Sequence, residues 1–91
     1  MDTVNRQRPD WVDKASANGE LFLDLRRYLR HGVEPLPDIE DTLKELRPCQ
    51  VLHLACDREP VLLYPILEPM GFTHHADCDG KGWHVYFRKC S

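Results

Sequence analysis

A chain of 91 residues with 42% hydrophobic and 30% charged side chains has room for one globular domain, and neither a disordered chain nor a membrane protein has this composition. At that length about 60% of the unfolded chain's surface is buried, which leaves a modest hydrophobic margin and little room for an elaborate active site. A net charge of −3 without a basic stripe excludes the electrostatic footprint of a DNA- or RNA-binding protein, and apolar runs as short as Val61-Leu62-Leu63 exclude a bilayer-spanning segment.

Residues 1–19 are polar, with Val4, Trp11 and Val12 as their only sizeable apolar groups. They read as a mobile N-terminal tail ahead of a folded domain at 20–91, with Trp11 loosely packed, folded back or docked on a partner. The tail has no apolar core of the secretory kind, which predicts a cytoplasmic protein. Leu21, Leu23 and Leu25 then alternate with Phe22, Asp24 and Arg26, the period-two pattern of a strand over 21–26 buried on one face. A basic loop is expected at 27–33. Glu34-Pro35-Leu36-Pro37 leads into a helix with Ile39, Leu43 and Leu46 on one stripe, Pro37 in its first turn, and Asp38, Glu40 and Asp41 near the positive end of its dipole.

Arg47-Pro48-Cys49 ends that helix, and residues 50–56 form a second strand with Leu52 and Leu54 facing inward. Asp57-Arg58-Glu59 turns into a second helix over 61–70, begun by Pro60 and closed by Gly71. Pro65 removes a backbone hydrogen bond inside it, which predicts a kink or a late start. Residues 72–78 and 83–89 form a hairpin around Asp79-Gly80-Lys81-Gly82, whose glycines permit a tight reversal. If Cys78 opposes Trp83, then Ala76 opposes Val85 and His74 opposes Phe87 on the inner face, while Asp77 meets His84 and His75 meets Tyr86 on the outer one.

Two strand-helix units and a hairpin make an α+β domain, a two-layer β-α-β-α-β-β sandwich with a four-stranded mixed sheet. Right-handed crossovers put both helices on one face and leave the other open. The four cysteines, Cys49, Cys56, Cys78 and Cys90, include no CxxC pair. In a reducing compartment they are expected as free thiols, with Cys56 and Cys78 facing the core and Cys49 and Cys90 exposed.

Leu23-Asp24-Leu25-Arg26, Gly32-Val33-Glu34-Pro35-Leu36-Pro37, Arg47-Pro48, Asp57-Arg58-Glu59-Pro60, Gly71-Phe72 and Gly82-Trp83-His84-Val85 together resemble the TusA/SirA-like superfamily over residues 21–89. The closest resemblance is to its uncharacterised branch, domain of unknown function family 2249, found in small prokaryotic proteins. It implies a strand order of 1-2-4-3 and a place in sulfur or redox metabolism. In the sulfur carriers a Gly-x-x-Cys-Pro-x-Pro turn sets a persulfide-accepting cysteine at a helix N-terminus, where the dipole stabilises the anion. Here that position is Glu34, which cannot carry sulfane sulfur. Residues 27–31 lengthen the preceding loop, and Cys49 replaces the usual glycine before the second strand.

Two constellations follow. The parallel strands bring both helix N-termini to one rim, placing Glu34, Pro35 and Pro37 near Asp57, Arg58, Glu59 and Arg26, with Arg27 and Arg30 close by. This is either a recognition site for a protein or small anion, or a set of helix caps with paired arginines. On the open face, His53, His75, Asp77, His84 and Tyr86 become neighbours, while His74 points inward. These residues are candidates for a zinc or iron site, or form a solvated, pH-sensitive surface. The function expected is that of a non-enzymatic accessory domain with no cofactor, binding another protein rather than nucleic acid or membrane. The alternatives are a metal-binding protein or enzyme using the histidine face, and a sulfur carrier using Cys49 or Cys90.

Overall fold

Alternating apolar residues, proline-started helices and a glycine-bearing reversal assemble into the expected α+β architecture in the computed structural model, which describes residues 8–90. A short helix α1 (Asp10–Asp13) and a 3-10 turn (Ser16–Asn18) precede β1 (Leu21–Asp24). Then follow α2 (Leu25–Arg30), α3 (Leu36–Glu45), β2 (Val51–Cys56), α4 (Tyr64–Leu67), β3 (Thr73–Cys78) and β4 (Trp83–Arg88). The sheet runs β1-β2-β4-β3. β1 is parallel to β2, and β4 pairs antiparallel with both β2 and β3. The hairpin register is the one that Trp83, Val85 and Phe87 dictate, with Cys78 opposite Trp83 and His74 opposite Phe87.

The core lies between the sheet and the helical layer. Leu52, Leu54 and Cys56 of β2 and Val85 and Phe87 of β4 meet Leu25, Ile39, Leu43, Leu67 and Phe72. Burial of each such aliphatic or aromatic side chain contributes about 1.5–3 kcal/mol. Pro65 has the effect expected of it. A 3-10 turn (Val61–Leu63) comes first, and the α-helix starts only at Tyr64, so the missing N–H of Pro65 falls in the first turn. A second 3-10 turn (Glu68–Met70) follows, ending at Gly71 in the left-handed conformation.

Three expectations are corrected. The first strand stops at Asp24, and the segment expected to be a loop begins as helix α2. Asp24 causes this, because its Oδ1 accepts the Arg26 N–H at 3.1 Å and caps the helix. Leu25 is thereby rolled into the core.

The second sheet face is not open. Of the segment read as a mobile tail, residues 1–7 lie outside the described residues, but residues 8–19 lie against the sheet. Val12 (3% exposed) and Ala15 (2%) pack on Val51 and Tyr86. Trp11 folds back, with the Arg88 guanidinium 4.8 Å above its ring. Gln50 fastens the segment by donating from Nε2 to the Gly19 carbonyl while its Oε1 accepts the Arg47 N–H.

The cysteines are not all free. Cys49 and Cys90, 41 positions apart, form a disulfide. Pairing of Val51 with Arg88 brings the loop before β2 beside the end of β4, and the Cys49 N–H donates to the Lys89 carbonyl at 2.8 Å. Of the two free thiols, Cys56 is buried as expected, but Cys78 is exposed at the end of the edge strand β3. Among the described residues, no helix is long and apolar enough to cross a membrane.

Candidate functional site

The rim built by the parallel strands forms a groove of about 880 Å³. From the α2 side Leu29, Glu34, Pro35 and Leu36 line it, and from the loop after β2, the 3-10 turn and α4 come Asp57, Arg58, Glu59, Val61, Leu62 and Ile66. Leu29, Val61, Leu62 and Ile66 are all exposed, and Leu62 keeps 80% of its surface in solvent. Val61, Leu62 and Ile66 reach solvent because α4 is short. Its neighbouring 3-10 turns do not hold the 3.6-residue periodicity that would aim every apolar residue inward.

Glu34 and Glu59 have local partners. Glu34 Oε1 accepts the Leu36 N–H at 3.3 Å, supporting the start of α3. Glu59 Oε2 accepts the Tyr64 hydroxyl at 2.9 Å. Burial first, and then this carboxylate, raise the Tyr64 pKa above its ordinary value.

Two residues expected in this site lie outside the groove lining. Pro37 sits inside the first turn of α3. Arg26 turns back onto Asp24, with Nε 2.9 Å from Oδ1 and Nη2 3.1 Å from Oδ2. That pairing holds the Asp24 carboxyl below the usual range. Arg27 faces a different depression, with Phe22 and Tyr28. The groove therefore has acidic Glu34, Asp57 and Glu59 against Arg58 alone, which suits an apolar, basic-flanked ligand better than a small anion.

On the other sheet face the expected histidines form two separate groups. His53 of β2 and His84 of β4 meet through Nε2 and Nδ1 at 2.8 Å. His53 Nδ1 contacts the Glu20 carboxylate, and His84 Nε2 donates to Asp79 Oδ2 at 3.2 Å. Asp79 Oδ1 in turn accepts the N–H groups of Lys81 (2.9 Å) and Gly82 (3.1 Å), ordering the hairpin turn. These contacts hold the Asp79 carboxyl below its usual range, the Lys81 N–H foremost. The His53 ring stacks on Tyr86 at 4.4 Å and takes the edge of Phe22 at 4.9 Å. Burial pushes the His53 pKa down, and Glu20 opposes that shift.

His75 Nε2 instead bonds Asp77 Oδ1 at 2.8 Å, and the other Asp77 oxygen holds Arg8. Among the described residues, no group of three or more His, Cys, Asp or Glu is arranged to hold a metal ion. Glu20 and Asp79 were not among the residues expected here. Glu20 sits at the end of a segment without periodicity, and Asp79 is a turn residue whose second oxygen finds His84 only across the hairpin.

The fold and groove define a two-layer α+β domain with an exposed apolar cleft at the rim of its sheet. Residues 22–89 match the family described as Uncharacterized conserved protein (DUF2249), and the chain belongs to that family. No curated protein and no solved structure matches it.

Proposed function

We propose that this protein is a non-enzymatic binding module whose groove takes an apolar segment of a partner protein, flanked by lysine or arginine side chains. Leu62 carries the reading. A leucine four-fifths exposed, beside exposed Leu29, Val61 and Ile66 in a single groove, is apolar surface that water disfavours and a partner would cover. The excess of Glu34, Asp57 and Glu59 over Arg58 gives the basic flanks their complement.

The resemblance to TusA/SirA-like proteins supports a partner in prokaryotic sulfur or redox metabolism. In this reading the protein recognises and does not transfer, because Glu34 stands where those carriers have cysteine. Thiol chemistry has little support at the other candidate cysteines or at the buried one. Cys49 and Cys90 are bonded to each other, and burial pushes the Cys56 thiol up to about 11.

Selection from a displayed peptide library tests the proposal. Enriched peptides should carry two or more apolar side chains bracketed by Lys or Arg, and Leu62→Asp should weaken them at least about tenfold, roughly 1.4 kcal/mol. Enrichment of acidic peptides, no enrichment, or binding unmoved by Leu62→Asp would overturn it.

A further inference from the structure

Glu20, His53, His84 and Asp79 stand in one line of three contacts, and the line has a definite proton count. An ionised carboxylate only accepts, so each end requires a ring N–H: His53 Nδ1–H toward Glu20 and His84 Nε2–H toward Asp79. A neutral imidazole has one N–H. Two neutral rings use both protons at the ends and leave His53 Nε2 and His84 Nδ1 as lone pairs facing each other at 2.8 Å. A third proton turns that repulsive contact into an N–H···N hydrogen bond of ordinary length, about 2.7–3.2 Å.

We propose that Glu20, His53, His84 and Asp79 form a single-proton latch, in which one excess proton on His84, donated to His53, ties the hairpin turn to the sheet and to the segment covering it. His53 is the more buried partner, with 14% of its side chain exposed against 32% for His84, so charge is better placed on His84, next to Asp79. A second proton sets two N–H donors face to face and opens the same contact.

The surroundings favour one added charge and no more. Arg8, held by Asp13 and Asp77, lies over Tyr86 on the same face and opposes a second cation. His75 is engaged by Asp77 on β3, Tyr86 stacks under His53, Lys81 lies beyond Asp79 in the turn, and the Arg26 guanidinium of α2 is near enough to Asp79 to attract it. When the excess proton leaves, Asp79 keeps its bonds to Lys81 and Gly82, but the line no longer runs unbroken from the turn to Glu20.

Histidine-ring and amide NMR of the full chain, titrated from about pH 5 to about pH 9, tests this. His53 and His84 should respond in one shared one-proton step, and the Lys81 and Gly82 amides should move with it. His84→Gln should abolish that step, the amide response and the His53 shift together. Independent midpoints for the two rings, or turn amides that do not follow them, would overturn the latch. So would stoichiometric Zn(II) taken up between the two rings, which would make the gap a cation site. The wild-type titration alone distinguishes shared from separate steps if the variant does not fold.

Discussion

The two faces of this sheet are treated in opposite ways. On the helical side the layer stops short and leaves Leu29, Leu62 and Ile66 in solvent around an acidic groove. On the other side an irregular N-terminal segment covers Val51 and Tyr86, and each imidazole nitrogen of His53 and His84 faces a polar partner. Apolar surface is left uncovered on one side while polar groups are closely matched on the other. In the proposed reading the exposed apolar area is the partner-binding surface, whereas the polar network orders the chain that makes it.

The strongest way to break this contrast is to charge the covered face. Val12→Asp puts an unpaired carboxylate against Val51 and Tyr86 and should cost about 4 kcal/mol in urea unfolding. A change much below that would mean that the N-terminal segment only rests on the sheet. Next in size is the Cys49–Cys90 link, which closes a sequence separation of 41 at the end where Gln50 holds Gly19. Reduction, or Cys90→Ser, should lower stability by about 3 kcal/mol by releasing loop entropy in the unfolded chain. The groove should behave differently. Leu62→Asp, at a side chain already in solvent, should leave stability within about 0.5 kcal/mol while peptide affinity falls about tenfold.

The smallest effect is acid sensitivity from His53. Its folded pKa is depressed, so the unfolded chain binds this second proton of the pair more readily, and stability is lost as pH falls below the ordinary histidine value of about 6.5. His53→Gln should flatten that part of a stability-against-pH curve. An unchanged slope would assign the acid sensitivity to other groups.

Much of the fold was legible because it depends on local pattern. The alternation around Leu52 and Leu54, the proline starts, the Gly71 stop and the apolar triplet Trp83, Val85, Phe87 each identify an element or a register from neighbours in sequence. Asp24 was also present in the sequence, but as an N-cap inside an alternating run it competed with the strand pattern, and the hydrogen bond to Arg26 prevailed. The rim was legible to the extent that parallel strands bring Glu34 and Asp57 to one side. Its character was not, because whether Arg26 faces a ligand or folds onto Asp24 is decided by side-chain geometry.

By itself, then, the sequence determined the two-layer α+β order, the hairpin register and the placement of His53, His75, Asp77 and His84 on one face, since all of these follow from periodicity and handedness. Tertiary structure decided that residues 8–19 cover that face, that Cys49 meets Cys90, and that His53 chooses Glu20 and His84 while His75 chooses Asp77. Each of those outcomes is a contact between segments distant in sequence or a choice among several polar partners within reach. Such choices are settled by the packing of particular side chains, which no local pattern encodes.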